Sequence, residues 1–162
     1  MLLQPLIDHY AAYHLWANSL FVKRLDREPS DVLDREASSS FPTLRKTLLH
    51  IRDADHAWLC RLTGVEQTWP AEEDMTIGTV LKHNVLLRDH VAKLDDTKLQ
   101  KIHAYKDLRG NTHQNPAWQM LMHCFNHGTY HRGQLVTMMR GLGMDEVPHS
   151  DLIIYFRSMK QV

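Results

Sequence analysis

The segment 126–134, NHGTYHRGQ, carries two imidazoles one helical turn apart. On a helical wheel at about 100° per residue, His127 and His131 fall within about 60° of Cys124, together with most apolar residues of the segment. Two imidazoles on an apolar face need a partner, because burying an unpaired polar group costs about 1–3 kcal/mol and protonating both would bring like charges together. A divalent metal accepts two neutral imidazoles at once, and His-x-x-x-His on one helical face presents them suitably.

The alternative is that each histidine bonds a hydroxyl or carbonyl group of the core, and the residues alone leave both interpretations open. Gly128 favours the metal site slightly, because its missing side chain leaves room beside the imidazoles. A third ligand should come from another helix, and His50 at the edge of an apolar stripe is the candidate. His9 and His14 stay possible. Three further histidines fall on outer helical faces: His56, His83 and His90.

Apolar residues recur at steps of three and four in four long segments, which predicts helices over residues 2–25, 42–63, 76–94 and 116–142. A short fifth helix follows Ser150, and residues 101–114 read as a hairpin or an irregular loop. Apolar positions take about three in seven along the helices, which is typical of a bundle. We therefore predict an all-α four-helix bundle with a short C-terminal helix, in a single domain over residues 1–162.

Composition excludes several classes of function. The formal net charge is zero, so the chain has no basic excess that would favour binding to the phosphates of nucleic acid. No apolar run of about 18 residues is present, so no membrane span is expected, and the N-terminal segment lacks the features of a signal peptide. Cys60 and Cys124 are far apart in the sequence, which favours the reducing cytoplasm over a disulfide scaffold.

Two motifs resemble those of the DinB family. Residues 48–59 read L-x-H-I-x-D-A-x-x-x-W-L, similar to its first motif, and residues 126–134 are similar to its second, N-H-x-x-x-H-R-G-Q. Weaker marks lie at 15–18 (LWAN) and 151–155 (DLIIY). The resemblance implies a bundle connected up-down-down-up, a homodimer, and a divalent metal held by His50, His127 and His131. It also implies damage-inducible relatives, some of which transfer or hydrolyse thiol conjugates.

Three nitrogen ligands would leave a metal with positions open for water or a small-molecule substrate, as in catalytic sites. The metal could lower the pKa of water or of a thiol, so we predict a hydrolase or thiol S-transferase. Zinc suits imidazole best, while nickel, iron, manganese and copper stay possible. The alternative is a non-enzymatic metal-binding stress protein in which the metal only joins helices. A di-iron carboxylate site is not expected, because it needs Glu-x-x-His pairs on facing helices and the single Glu-x-x-His, Glu146 to His149, follows the last long helical segment.

Side chains near the two motifs have expected roles as well. Three could orient the imidazoles: Asp53, Asn126 and Gln134. Arg132 falls outside the apolar stripe, which favours a structural ion pair or a dimer contact over binding of an anionic substrate. Four others are expected in the core rather than at a substrate: Cys124, Trp58, Trp16 and Tyr13.

Overall fold

Four long helices carry most of the chain, as the apolar periodicity predicts. The computed structural model describes residues 2–107 and 109–159. In chain order the elements are α1 Leu3–Leu25, α2 Ser30–Leu33, α3 Leu44–Thr63, α4 Thr79–Val91, α5 Asp96–Gln100, β1 Ile102–Lys106, β2 Thr112–Pro116, α6 Ala117–Gly141 and α7 Leu152–Met159. The helical bundle and the short C-terminal helix are confirmed, whereas α2 and α5 are short helices that the sequence did not predict. In this described part of the chain, no helix combines the length and apolar character needed to cross a bilayer.

Two apolar clusters, one at each end of the bundle, give the direction of every long helix. One cluster combines the C-terminal halves of α1 and α6 with the N-terminal halves of α3 and α4 (Phe21, Leu48, Val80, Met139). The other combines the opposite halves (Ile7, Leu62, Leu87, Leu121). The connection is therefore up-down-down-up, and α1 and α3 each pack against both α4 and α6.

Because α3 and α4 run in the same direction, residues 64–78 must return along the length of the bundle. Arg52 holds this crossover: its buried guanidinium donates to the main-chain carbonyls of Glu72 and Asp74. The Asp53 carboxylate adds a hydrogen bond from the Ala71 amide at 3.0 Å. The crossover consequently lays Trp69 against α3, with its ring centre 5.8 Å from that of His50.

The segment between α5 and α6 is a hairpin, the first of the two predicted possibilities. Strands β1 and β2 pair antiparallel from Ile102↔Pro116 to Lys106↔Thr112. The Asp107 carboxylate accepts hydrogen bonds from the amides of Arg109 and Asn111, both at 2.9 Å, which closes the turn. The hairpin packs on α3 and adds a small sheet to the predicted all-α fold.

A layer of buried polar side chains lies between the two apolar clusters. The His14 Nε2 is 2.8 Å from Asp55 Oδ2, and Asn84 donates to the same oxygen. Asn18 donates to Asn84 at 2.9 Å and accepts from Arg132 at 3.0 Å. All five side chains are buried, so each depends on the others for its hydrogen bonds.

The prediction that Arg132 lies outside the apolar stripe is wrong. Only 2% of Arg132 is exposed, and its guanidinium also donates to Thr129 and lies 5.3 Å from the ring centre of Tyr13. No carboxylate pairs with it among the ion pairs of the described residues, so it serves the polar layer instead of a salt bridge. A wheel centred on apolar residues could not place it, because its partners in the core are polar.

Candidate metal centre

Three imidazoles from two helices converge at one point. His50 lies on α3, and His127 and His131 lie on consecutive turns of α6. The Nε2 atoms of His50 and His127 are 3.2 Å apart, and those of His127 and His131 are 3.0 Å apart. One nitrogen from each ring lies within 4.8 Å of the other two. The structure thus brings together the three side chains that the resemblance implies as ligands.

The spacing of the nitrogens suits a divalent ion. With metal–nitrogen bonds of about 2.0–2.1 Å, two ligand nitrogens are about 3.4 Å apart in a tetrahedral site and about 2.9 Å apart on an octahedral face. The observed 3.0 and 3.2 Å lie between these values. These two distances fit a metal of either geometry, and a nitrogen of His50 lies within 4.8 Å of one of His131.

Gln134 orients His131, as predicted. Its Oε1 lies 2.8 Å from His131 Nδ1, and its amide nitrogen donates to Ser40 Oγ at 2.6 Å. With the amide in this orientation His131 Nδ1 carries the proton, and Nε2 presents a lone pair to the other two rings. The other two predicted orienting residues do not take this role: Asp53 holds the crossover, and Asn126 is exposed.

The surroundings keep all three imidazoles neutral. Burial and the neighbouring His131 ring lower the pKa of His50 to about 4. Burial, followed by the nearby His131 and His50 rings, lowers the pKa of His127 to about 4 as well. Burial also lowers the pKa of His131. Neutral imidazoles are the form that binds a metal, so protons would compete little at neutral pH.

These shifts predict how the stability of the metal-free protein depends on pH. The ordinary histidine pKa is 6.5, so between pH 6.5 and about 4 the unfolded chain binds more protons at His50 and His127 than the folded chain does. As far as these two histidines determine it, the free energy of unfolding should be highest above pH 6.5 and should fall as the pH drops towards 4. Urea denaturation of metal-free protein across this pH range measures the dependence. In a His50→Ala/His127→Ala variant the free energy of unfolding should fall less steeply with pH. An unchanged slope in that variant would contradict the assigned shifts.

A pocket of about 470 Å³ opens beside the three imidazoles and is lined by His50 and His127. Its floor is the face of α3 that carries Ala54 and Ala57, and its aromatic walls come from three different segments: Trp58, Trp69 and Tyr105. His131 is only 3% exposed and lies behind the other two rings. Trp58, predicted in the core, packs against one of the two apolar clusters and also lines the pocket, so the prediction holds only in part.

The other candidate ligands lie elsewhere. His14 is committed to Asp55 in the polar layer, and His9 packs edge-on against Phe156. His83, predicted on an outer face, is buried and contacts Glu72 at 2.9 Å. Within residues 2–107 and 109–159, the three converging histidines form the one group of three or more His, Cys, Asp or Glu side chains suited to a metal.

The remaining predicted core residues are confirmed. Cys124 is fully buried and its thiol donates to Asp55 Oδ1 at 3.1 Å, while burial and that carboxylate raise its pKa. Tyr13 and Trp16 pack with Tyr155 in a third apolar cluster at α7. Gly128 does not widen the metal centre; its face is covered by the His14 ring.

The far end of the pocket was not predicted from the sequence. Arg61 lines it, together with the tip of the hairpin. Arg61 follows His50 by eleven residues, which is about three helical turns and hence the same face of α3, so a wheel of that helix could have found it. The contribution of the crossover had no comparable signal, because an irregular segment has no period, and the alternation within a short hairpin does not reveal which helix it contacts.

The comparisons with known proteins agree with this architecture. The sequence pattern described as the DinB family matches residues 2–159. The protein named DinB of Bacillus subtilis (strain 168) is 26% identical over 147 residues, covering 84% of this chain and 86% of that one.

Two solved structures share the fold. A DinB-like protein from Bacillus cereus ATCC 10987 has a TM-score of 0.59 at 23% identity, covering 82% of this chain and 89% of its own. A DinB-like protein from Bacillus subtilis has a TM-score of 0.69 at 15% identity, covering 88% and 97%. With the family pattern matched over nearly its full length, the chain belongs to the DinB family.

Proposed function

We propose that this protein is a divalent-metal-dependent enzyme that acts on a small molecule by thiol transfer or hydrolysis. The observation that carries the proposal is the convergence of three imidazole nitrogens at the inner end of a 470 Å³ pocket. His50, His127 and His131 would hold the ion. When bound, a divalent ion would supply the Lewis acidity that brings the pKa of a water molecule or a thiol towards about 7.

The open side of the histidine group favours an enzyme. A structural site is closed by four protein ligands, whereas a catalytic site keeps a position free. His123, the nearest further imidazole on α6, packs instead on Trp58 with ring centres 4.9 Å apart. In the described part of the chain the group includes no carboxylate, so no general base is assigned, and both reactions stay within the proposal.

Zinc is the proposed metal, because imidazole nitrogen is among its usual protein ligands. Nickel, iron, manganese and copper would accept the same three nitrogens. The substrate is proposed to be a small molecule, with thiol conjugates as the first class to screen, on the strength of the family resemblance.

The second candidate is a stress protein in which the metal is structural. One observation favours it: the three histidines join α3 to α6, so a bound ion would link two long helices. Binding to the folded state alone would stabilise the bundle by mass action. The two candidates differ in whether an external molecule can reach the metal.

Cobalt substitution separates the two candidates. We would load metal-free protein with Co²⁺ and add 2-mercaptoethanol as a probe thiol. An open site should develop a sulfur-to-cobalt charge-transfer band in the near ultraviolet, whereas a closed structural site should keep its spectrum unchanged. His50→Ala is the control, since its spectrum should lack the cobalt bands of the intact site. An unchanged spectrum in the natural protein would contradict the enzymatic proposal.

Three predictions about context accompany the proposal: a homodimer, a cytoplasmic location and a single domain. Light scattering of the purified protein would test the first. A monomer mass at working concentrations would contradict it.

A further inference from the structure

Arg61 presents a cation on the wall of the pocket. Its guanidinium carbon lies 4.5 Å from the ring centre of Trp58 and 5.4 Å from that of Tyr105. Its Nε is buried and has no hydrogen-bond partner, and no ion pair among the described residues includes Arg61. Two aromatic faces therefore fix the position of the guanidinium and leave hydrogen-bond donors without a protein acceptor.

Arg61 and the three imidazoles lie at opposite ends of one helical face. The eleven residues from His50 to Arg61 correspond to about 16 Å along α3. The floor between them consists of Ala54 and Ala57, whose small side chains leave the space open. A ligand that contacts both ends must consequently be elongated, with a body that fits between aromatic walls.

The charges around the pocket favour an anion. Among the lining residues Asp107 is the one carboxylate, and it already accepts from His113 and from the Asn111 side chain, each at 3.0 Å. Its other hydrogen bonds close the hairpin turn. The pocket therefore has two arginines, Arg61 and Arg109, against one carboxylate, and that carboxylate is already hydrogen-bonded within the hairpin.

We propose that Arg61 binds an oxyanion group, a carboxylate or a phosphate, at one end of an elongated substrate. The apolar or aromatic body of that substrate lies over Ala54 and Ala57 beside Trp58, and its other end reaches the imidazoles. This inference rests on the proposed function, because it assigns a substrate class to the same pocket. Neutral and cationic analogues of the same shape should bind less well.

The test uses metal-free protein, so that no anion can bind through a metal. We would measure binding of 4-phenylbutyrate, its neutral analogue 4-phenylbutanamide and 3-phenylpropyl phosphate by calorimetry, with tryptophan fluorescence as a second readout, since two of the four tryptophans, Trp58 and Trp69, line the pocket. Charge-assisted hydrogen bonds should make at least one anion bind about tenfold or more tightly than the amide. Whichever anion binds more tightly identifies the oxyanion.

Two variants locate the effect. In Arg61→Gln the anion and the amide should bind with nearly equal affinity. The affinity for the amide itself should change by less than about twofold. The matched control is Arg109→Gln, which removes a cation from the same pocket and should keep most of the preference, because no aromatic ring of the described residues holds Arg109 as Trp58 and Tyr105 hold Arg61. Thermal unfolding of both variants checks that they fold.

Three results would overturn the inference: an anion preference that survives in Arg61→Gln, no preference in the natural protein, or no binding of any probe at concentrations up to about 10 mM. Absence of metal binding would contradict the proposed function but would leave this measurement unaffected. Conversely, if Arg61→Gln did not change the anion preference, the oxyanion inference would fail but the proposal of a metal centre would stand.

Discussion

Replacing Gly128 with alanine is expected to destabilise the protein by about 2–4 kcal/mol. A Cβ at this position would lie 2.4 Å from His14 Cε1 and 2.8 Å from His14 Nδ1. The His14 ring cannot move aside cheaply, because it is buried and its Nε2 is held 2.8 Å from Asp55. The substitution would therefore either strain the contact between α1 and α6 or break hydrogen bonds of the polar layer.

Urea denaturation measures this effect, and α6 supplies a matched control. Gly133 lies on the same helix, and a methyl group added there would have nothing within 4 Å, so Gly133→Ala should be neutral or stabilising by up to about 1 kcal/mol. In a His14→Ala background the Gly128 substitution should lose most of its cost, because the clashing ring is gone. Equal denaturation midpoints for Gly128→Ala and Gly133→Ala would refute the close contact.

Replacing His127 with alanine is expected to lower zinc affinity by at least about 100-fold, since even loss of a group that only orients a ligand costs 10–100-fold. His127 is the middle member of the group, and its Nε2 lies 3.2 Å from that of His50 and 3.0 Å from that of His131. Without it, two separated nitrogens are left to bind the ion. His131→Ala should have a similar effect, and His50→Ala should weaken binding sharply.

Calorimetric titration with zinc checks these variants against His123→Ala. His123 lies one turn before His127 on α6, with ring centres 6.0 Å apart, but it packs on Trp58 and lies outside the converging group. Its replacement should leave zinc affinity within about threefold of the natural value, as expected for a residue that neither binds nor orients the ion. Equal losses from His123→Ala and His127→Ala would show that the ligands are assigned wrongly.

The features of the protein that follow a helical period could be predicted from the sequence. The four long helices follow from apolar positions repeated at three and four residues, and the spacing of His127 and His131 fixes them on adjacent turns of α6. Placing His50 opposite them needed the resemblance to the DinB family, because its position at a stripe edge was compatible with several roles. The observed convergence supplies the geometry that the resemblance only implied.

Features that depend on polar partners between helices were not predictable. Arg132 is buried because Asn18 and Thr129 accept its hydrogen bonds, and no hydrophobic pattern reveals such partners. The path of the crossover depends on Arg52 and on main-chain carbonyls twenty and twenty-two residues later in the chain. Since that crossover brings Trp69 to the pocket, the shape of the site could not be derived from the helices alone.

Elemental analysis of the purified, untagged protein tests the central claim most directly. The account predicts about one divalent metal per chain, lost in a His50→Ala/His127→Ala/His131→Ala variant that still folds. The same metal would then serve in screens of thiol conjugates and hydrolysable substrates. Metal-free natural protein, even after incubation with zinc, nickel, iron and manganese, would contradict the account and leave the three histidines as polar residues of the helix interface.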